Sequence, residues 1–408
     1  MKALVADFNA TKGRWGRLTA TLFGRKAENH SVAIALRDVP EATLPTQRWV
    51  KIRTIMSAIS DIDEGLFLCG NIGMLGGYLS FPFIPGNENL GIITEIGDEV
   101  EGIEAGERVV VDPVLACKAR EITPPCPSCE RGMPSTCANF AAGVVGPGRF
   151  IGACAHTRGG WGTVFVAHSQ QVRTVPQSME SHRALLVPEF TRALRGLLSH
   201  PPKPGSRVII LGARSLGLLT LLALTILGYY AQVLVVAEHP HEAQFARRLG
   251  ADPVILWGDP VSLCEQVAEF SNGVVYNSGR GKIALRGGAD LVYETTGTCK
   301  GMGEAMQYAG EGKDVVLLGM NQSVAIDLTP LWHKGIKVYG TSFSGTESYQ
   351  GEKKETIDLA LDLIAEAPAS ICEVVTHTYP LHESEEAWKV LRDRCSSKAI
   401  KVAFSHVM

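Results

Sequence analysis

The chain has 408 residues, 45% of them hydrophobic and 20% charged, which is enough apolar material for two separate cores. A formal net charge of −3, with no basic amphipathic run and no acidic tail, gives no electrostatic basis for binding nucleic acid or an anionic membrane. The opening MKALVADFNATKGRWGR has too short an apolar run for a secretory signal. Its ten cysteines are therefore expected in a reducing, cytoplasmic setting, where clustered thiols are metal ligands more often than disulfides.

Residues 1–178 are rich in glycine and proline and carry short β-branched runs at 49–54, 90–96 and 108–111. Turn signals separate them: Pro85-Gly86, Glu104 to Glu107, and Gly146-Pro147-Gly148. That pattern predicts a compact, mostly antiparallel β domain. Pro201-Pro202-Lys203-Pro204-Gly205 punctuates the chain, and strands and helices then alternate. Strands are predicted at 207–211, 232–236, 289–293 and 314–318, and helices at 216–227 and 241–249. Apolar runs alternating with helical periods imply βαβ units on a parallel sheet over 179–341. The apolar stretch 216–236 is broken at Gly228, so it reads as a buried helix and a strand, not as a membrane span. In residues 342–408, a helix at 355–365 precedes a strand at 399–404 that returns to the first domain.

The turn Gly212-Ala213-Arg214-Ser215-Leu216-Gly217 lies between the first strand and first helix of the alternating region. A glycine-rich turn there aims backbone N–H groups and a helix N-terminus at a pyrophosphate. The fingerprint G-x-G-x-x-G is incomplete, with Arg214 in place of its middle glycine. Arg214 must turn outward or make a charged contact of its own. The acid expected at the end of the second strand, for the ribose hydroxyls, is replaced by Ala237, with Glu238 next. Glu238 would repel a 2′-phosphate, whereas His239, His241, Arg247 and Arg248 offer cationic partners or simply face water. NAD and NADP both remain open at this point. Four cysteines, Cys117, Cys126, Cys129 and Cys137, follow the pattern C-x8-C-x2-C-x7-C on a proline-rich loop, as expected of a tetrahedral zinc site.

The chain resembles the medium-chain dehydrogenase/reductase family, zinc alcohol dehydrogenase type. The resemblance rests on Pro85-Gly86-Asn87-Glu88 beside that family's P-G-H-E and on Gly159-Gly160-Trp161-Gly162 beside its G-G-F-A. It rests also on the stretch 289–297, whose Thr295 is placed with the cofactor. The resemblance implies an α/β fold with a GroES-like β-rich catalytic domain (1–178, zinc lobe 117–137), a doubly wound Rossmann domain (179–341) and a C-terminal return (342–408). It further implies NAD or NADP, a structural zinc, a small-molecule substrate, and a homodimer or homotetramer.

The family's three catalytic zinc ligands are not matched. The cysteine of G-I-C-G-T-D falls at Ala58, the histidine of G-H-E at Asn87, and the third place at or beside Pro188. Ser60, Asp61 and Glu88 persist beside them. Ser60 matches a hydroxyl that relays a proton, or else caps a helix with Glu64 near the capping-box place. Together with Asn87 and Glu88, Ser60 and Asp61 form the expected catalytic group. The reading is an NAD(P)-dependent oxidoreductase without catalytic zinc, acting on an activated carbonyl or conjugated substrate. One alternative is a pseudoenzyme or cofactor sensor on the same fold. Another is a rewired metal site drawing on Asp61, Cys69, Glu88, His156 or Glu189.

Overall fold

The computed structural model describes residues 1–8, 32–68, 73–277, 283–320 and 326–406. Cys69 lies outside the described residues. The chain divides into two compact units, Met1–Pro188 with Phe343–Met408, and Glu189–Ser342.

The first unit is built on Trp49–Ala58, a ten-residue strand rich in β-branched and apolar side chains. It pairs antiparallel with Glu88–Ile96, with Val164–His168 and with Lys401–Ser405. The sheet order runs Val375–Pro380, Lys401–Ser405, Trp49–Ala58, Glu88–Ile96, Arg108–Val111, Val172–Thr174. Only the first of these pairs is parallel. Trp49, Ile52, Ile93, Val109 and Phe165 fill the space on its inner face. At the far end of the long strand, Trp161 packs its ring 5.6 Å from Phe67, 5.6 Å from Trp388 and 5.1 Å from Phe404. Such aromatic contacts bury large apolar areas at fixed angles, which locks the strand end. Ala58 therefore sits across from Glu88 on one side and Ala403 on the other.

The second unit carries a six-stranded parallel sheet ordered Val254–Leu256, Gln232–Ala237, Arg207–Leu211, Ala289–Glu294, Ala309–Leu317, Lys337–Gly340. In chain order that is 3-2-1-4-5-6, the doubly wound arrangement, with its switch point at Arg207–Leu211 and Ala289–Glu294. The helix Ser215–Ile226 is apolar almost all round and is buried from Ser215 to Leu224. No helix among the described residues is long and apolar enough to cross a membrane.

Three details differ from the sequence-based expectations. The units divide at Glu189, not at residue 179, because the helix Ser181–Leu185 packs on the β sheet of the first unit, burying Ala184 and Leu185 fully. The fifth parallel strand begins at Ala309 rather than 314, and its glycine- and charge-rich start hides it from any apolar pattern. Two hairpins, Val274–Asn277 with Ile283–Arg286 and Thr346–Tyr349 with Glu352–Glu355, were not expected.

Candidate functional site

In the second unit, the turn after Arg207–Leu211 is shaped by its glycines. Gly212 has φ +109°, and a Cβ there would meet Thr295 Oγ1 at 2.6 Å. A Cβ on Gly217 would lie 2.0 Å from the Gly212 carbonyl oxygen, so the helix can approach the turn only with glycine there. Arg214 has an ordinary negative φ at the helix N-cap, and its guanidinium donates to the Thr296 carbonyl at 3.4 Å. It is thus directed across to the neighbouring strand's turn, and the missing middle glycine introduces no backbone strain. Ser215 donates to Glu189 Oε1 at 2.9 Å, and Leu216 is buried against the sheet. Thr295 spends its hydroxyl on the Leu211 and Gly212 carbonyls, at 2.9 and 3.3 Å, and so braces the turn. Glu294, fully buried, accepts from the backbone of Thr296 at 2.8 Å and of Gly297 at 3.1 Å. Glu238 is exposed just past the strand end. A glycine-shaped turn leading into a helix N-terminus at a topological switch point fits a dinucleotide pyrophosphate.

In the first unit, the sulfur atoms of Cys117, Cys126, Cys129 and Cys137 lie within 4.8 Å of one another. Cys137 Sγ is 3.6 Å from Cys117 Sγ and 3.8 Å from Cys126 Sγ. A tetrahedron with Zn–S bonds of about 2.3 Å sets its sulfurs about 3.8 Å apart. Backbone N–H groups of Cys126 and Asn139 donate to Cys117 and Cys137, each at 3.3 Å, which favours thiolates. Burial pushes the Cys126 thiol up, but N–H donors from Ala138 and Cys129 outweigh it and bring it to about 6. Burial pushes Cys129 and Cys137 up, so holding four thiolates this close calls for a cation. The lobe's own apolar cluster is small. Arg120, fully buried, braces it by donating to the carbonyls of Leu115, Ala142, Val145, Gly146 and Gly148. The four cysteines fit a structural zinc.

The catalytic-ligand places lie elsewhere in the same unit. Two glycine motifs interlock there: Gly160 N–H donates to the Gly86 carbonyl and Trp161 N–H to that of Pro85, both at 3.0 Å. A Cβ on Gly160 would fall 1.8 Å from Asn89 Oδ1. This lock sets Asn87 and Glu88 beside Ala58, all three buried. Asn87 Oδ1 is buried without a hydrogen-bond partner. Glu88 forms an ion pair with Lys401 at 2.5 Å, with side chains 5% and 3% exposed.

Ser60 is the N-cap of the helix Asp61–Phe67. The capping box is closed by Asp63, not by Glu64, which instead pairs with Arg394 at 2.5 Å. Glu64 sits one residue too far along to reach back to the cap. Ser60 Oγ donates to Asp63 Oδ2 at 2.7 Å, and Ser60 N–H donates to the same oxygen at 3.0 Å. Burial raises Asp63, and the Ser60 hydrogen bonds and Lys401 only partly offset it, leaving it at about 7. Asp61 accepts from the Ile62 N–H at the start of that helix. Pro188 is buried near the start of the helix Val187–Ser199. His156 is exposed and accepts from Gly146 N–H at 2.8 Å, holding a turn.

Two family models match the chain: the alcohol dehydrogenase GroES-like domain over residues 46–177, and the zinc-binding dehydrogenase over residues 215–365. The chain belongs to the zinc-type alcohol dehydrogenases of the medium-chain family. As such it is an oxidoreductase, with NAD or NADP as cofactor and a cysteine lobe suited to structural zinc. Its relatives include the probable D-xylulose reductase A of Arthroderma otae, 23% identical over 92% of this chain and 94% of that one. The L-idonate 5-dehydrogenase of Vitis vinifera is 25% identical over 79% of each chain. An alcohol dehydrogenase of Escherichia coli CFT073, solved with NADH, shares the fold with a TM-score of 0.69 at 19% identity, over 99% of each chain.

Sequence reasoning missed Asp63, Lys401, Glu294 and Arg120. Asp63 was recoverable, since Ser60-x-x-Asp63 carries the capping-box spacing. Lys401 lies within an apolar strand run, where an enclosed lysine signals a buried partner.

Proposed function

We propose that this medium-chain dehydrogenase works without a catalytic zinc, on a small molecule whose carbonyl or conjugated double bond is already activated. The observation that supports this most strongly is the chemistry at the interlocked strand ends. A methyl group at Ala58 and a neutral amide at Asn87 stand where two ligands would be, and Pro188 stands at the third place. Alanine and proline have no donor atom, and an amide binds Zn²⁺ poorly. Four of the five residues that could rebuild the site have other partners: Asp61 has the Ile62 amide, Glu88 has Lys401, Glu189 has Ser215, and His156 has Gly146. The rewired-metal reading is weaker for that reason. An unstrained phosphate turn likewise favours an enzyme over a pseudoenzyme.

The nicotinamide, when bound, supplies or takes a hydride. The protein's part is to hold the charge that develops on the substrate oxygen and to manage its proton. With Asp63 protonated and donating to it, the Ser60 hydroxyl can turn its own proton to that oxygen, and Asp63 resupplies the proton. Asn87 Oδ1 has an unused acceptor for a substrate hydroxyl. The named relatives act on D-xylulose and on L-idonate, a sugar and a sugar acid, as their names state. Loss of all three ligand types favours a substrate that needs no Lewis acid, because a bound metal contributes several kcal/mol to alkoxide stabilisation. The assembly is expected to be a homodimer or homotetramer, which light scattering measures.

The test is turnover of conjugated enals and enones against simple primary alcohols, each with and without chelator. The expected outcome is faster reaction of the conjugated set, with no immediate chelator effect. Rapid oxidation of ordinary alcohols, stopped at once by chelator, would favour the rewired metal site.

A further inference from the structure

Ala237 ends the strand Gln232–Ala237 fully buried, and it has no polar atom in its side chain for a ribose hydroxyl. Glu242, in the first turn of the helix Pro240–Arg248, folds back to the same place. It is fully buried, and its Oε2 accepts from the backbone N–H of Glu238 at 3.0 Å and of His239 at 3.2 Å. The carboxylate is thereby fixed on the two residues that follow the strand. Its other oxygen, Oε1, is buried with no hydrogen-bond partner. An unpaired buried acceptor is costly, and a hydroxyl donor would relieve that cost.

The surroundings are unsuited to a phosphate. The two amides nearest the strand end are already taken by Glu242, and Glu238 adds a second, exposed carboxylate. Arg247 donates to the Val254 carbonyl at 3.0 Å. Arg248 lies over the Phe245 ring, 4.2 Å from its centroid. The rings of His239 and His241 stack on each other at 5.4 Å.

We propose that Glu242 takes over the ribose-binding role absent at Ala237, and that it makes the enzyme selective for NAD(H) over NADP(H). A carboxylate held here accepts from a 2′-hydroxyl and repels a 2′-phosphate dianion. The proposal rests on the reading of Gly212 to Gly217 as the cofactor turn.

The test is fluorescence titration of the full-length protein with NADH and NADPH, for the wild type, Glu242→Gln and Glu238→Gln. In Glu242→Gln the amide oxygen still accepts from both backbone N–H groups, so the helix cap is retained and the charge is lost. Wild type should bind NADH at least about tenfold more tightly than NADPH, and Glu242→Gln should shrink that ratio to about threefold or less. Glu238→Gln, being exposed, should change the ratio by about threefold at most. Thermal melting checks that Glu242→Gln folds. If it does not, wild-type competition by 5′-AMP and by adenosine 2′,5′-bisphosphate decides, with 5′-AMP expected to compete better. Equal affinity for NADH and NADPH, or a folded Glu242→Gln with an unchanged ratio, would overturn the proposal alone. Failure to bind either nucleotide would overturn the cofactor-turn reading with it.

Discussion

Two metal places of one family, both in the first unit, are matched to different degrees by the residues of this chain. At the lobe, four thiols converge with their sulfurs within 4.8 Å of one another and N–H donors aimed at them. At the strand ends, the interlocked glycine motifs are intact, yet the positions they set hold Ala58 and Asn87. The lobe's apolar cluster is small, and beyond the Arg120 hydrogen bonds little but a metal can order it. The strand ends are braced without one by Trp161, by the Glu88–Lys401 pair and by the Ser60–Asp63 cap. The lobe thus leans on a metal for its order more than the strand ends do.

The sharpest way to break this contrast is at the lobe. Cys126→Ser should abolish zinc binding and give the largest fall in thermal stability, since structural zinc binding is worth on the order of 10 kcal/mol. Nucleotide affinity, measured on whatever folded protein remains, should be unchanged. At the strand ends, Lys401→Met should cost about 3 kcal/mol or more in a denaturant titration, because it leaves Glu88 buried beside no ammonium. Replacing both partners with apolar residues should cost less than that.

Ser60→Ala separates chemistry from capping. Losing one oxyanion donor costs roughly 3 kcal/mol, or about a hundredfold in rate. Losing the cap alone costs about 1 kcal/mol of stability. A clear fall in kcat with unchanged nucleotide affinity is expected, whereas full activity would leave Ser60 a cap only.

A separate effect concerns pH. Asp63 rises from 3.8 in the unfolded chain to about 7 in the fold. Its contribution to stability is therefore fully present below about pH 4 and is lost as pH rises through about 7. Denaturation midpoints between pH 5 and 8 should fall with pH in wild type and flatten in Asp63→Asn.

Legibility followed the range of the interactions. The parallel strands and the turn at Gly212 could be read because their signals lie within a few residues, an apolar run ending in a glycine whose φ is positive. The cysteine lobe could be read because ligand spacing is a local property. Lys401 and Glu88 meet through pairing of strands far apart in the chain, and no periodicity announces that. Arg120 looks like an ordinary surface charge until the carbonyls around it are counted. The helix Ser181–Leu185 shows the same limit, since its amphipathic pattern does not say which core it joins.

Metal content per chain tests the central claim most directly. Elemental analysis of the full-length protein, carefully purified, should give one zinc per chain in the wild type and none in Cys126→Ser. Two zincs in the wild type, or one zinc that survives in Cys126→Ser, would place a metal outside the lobe and contradict the account.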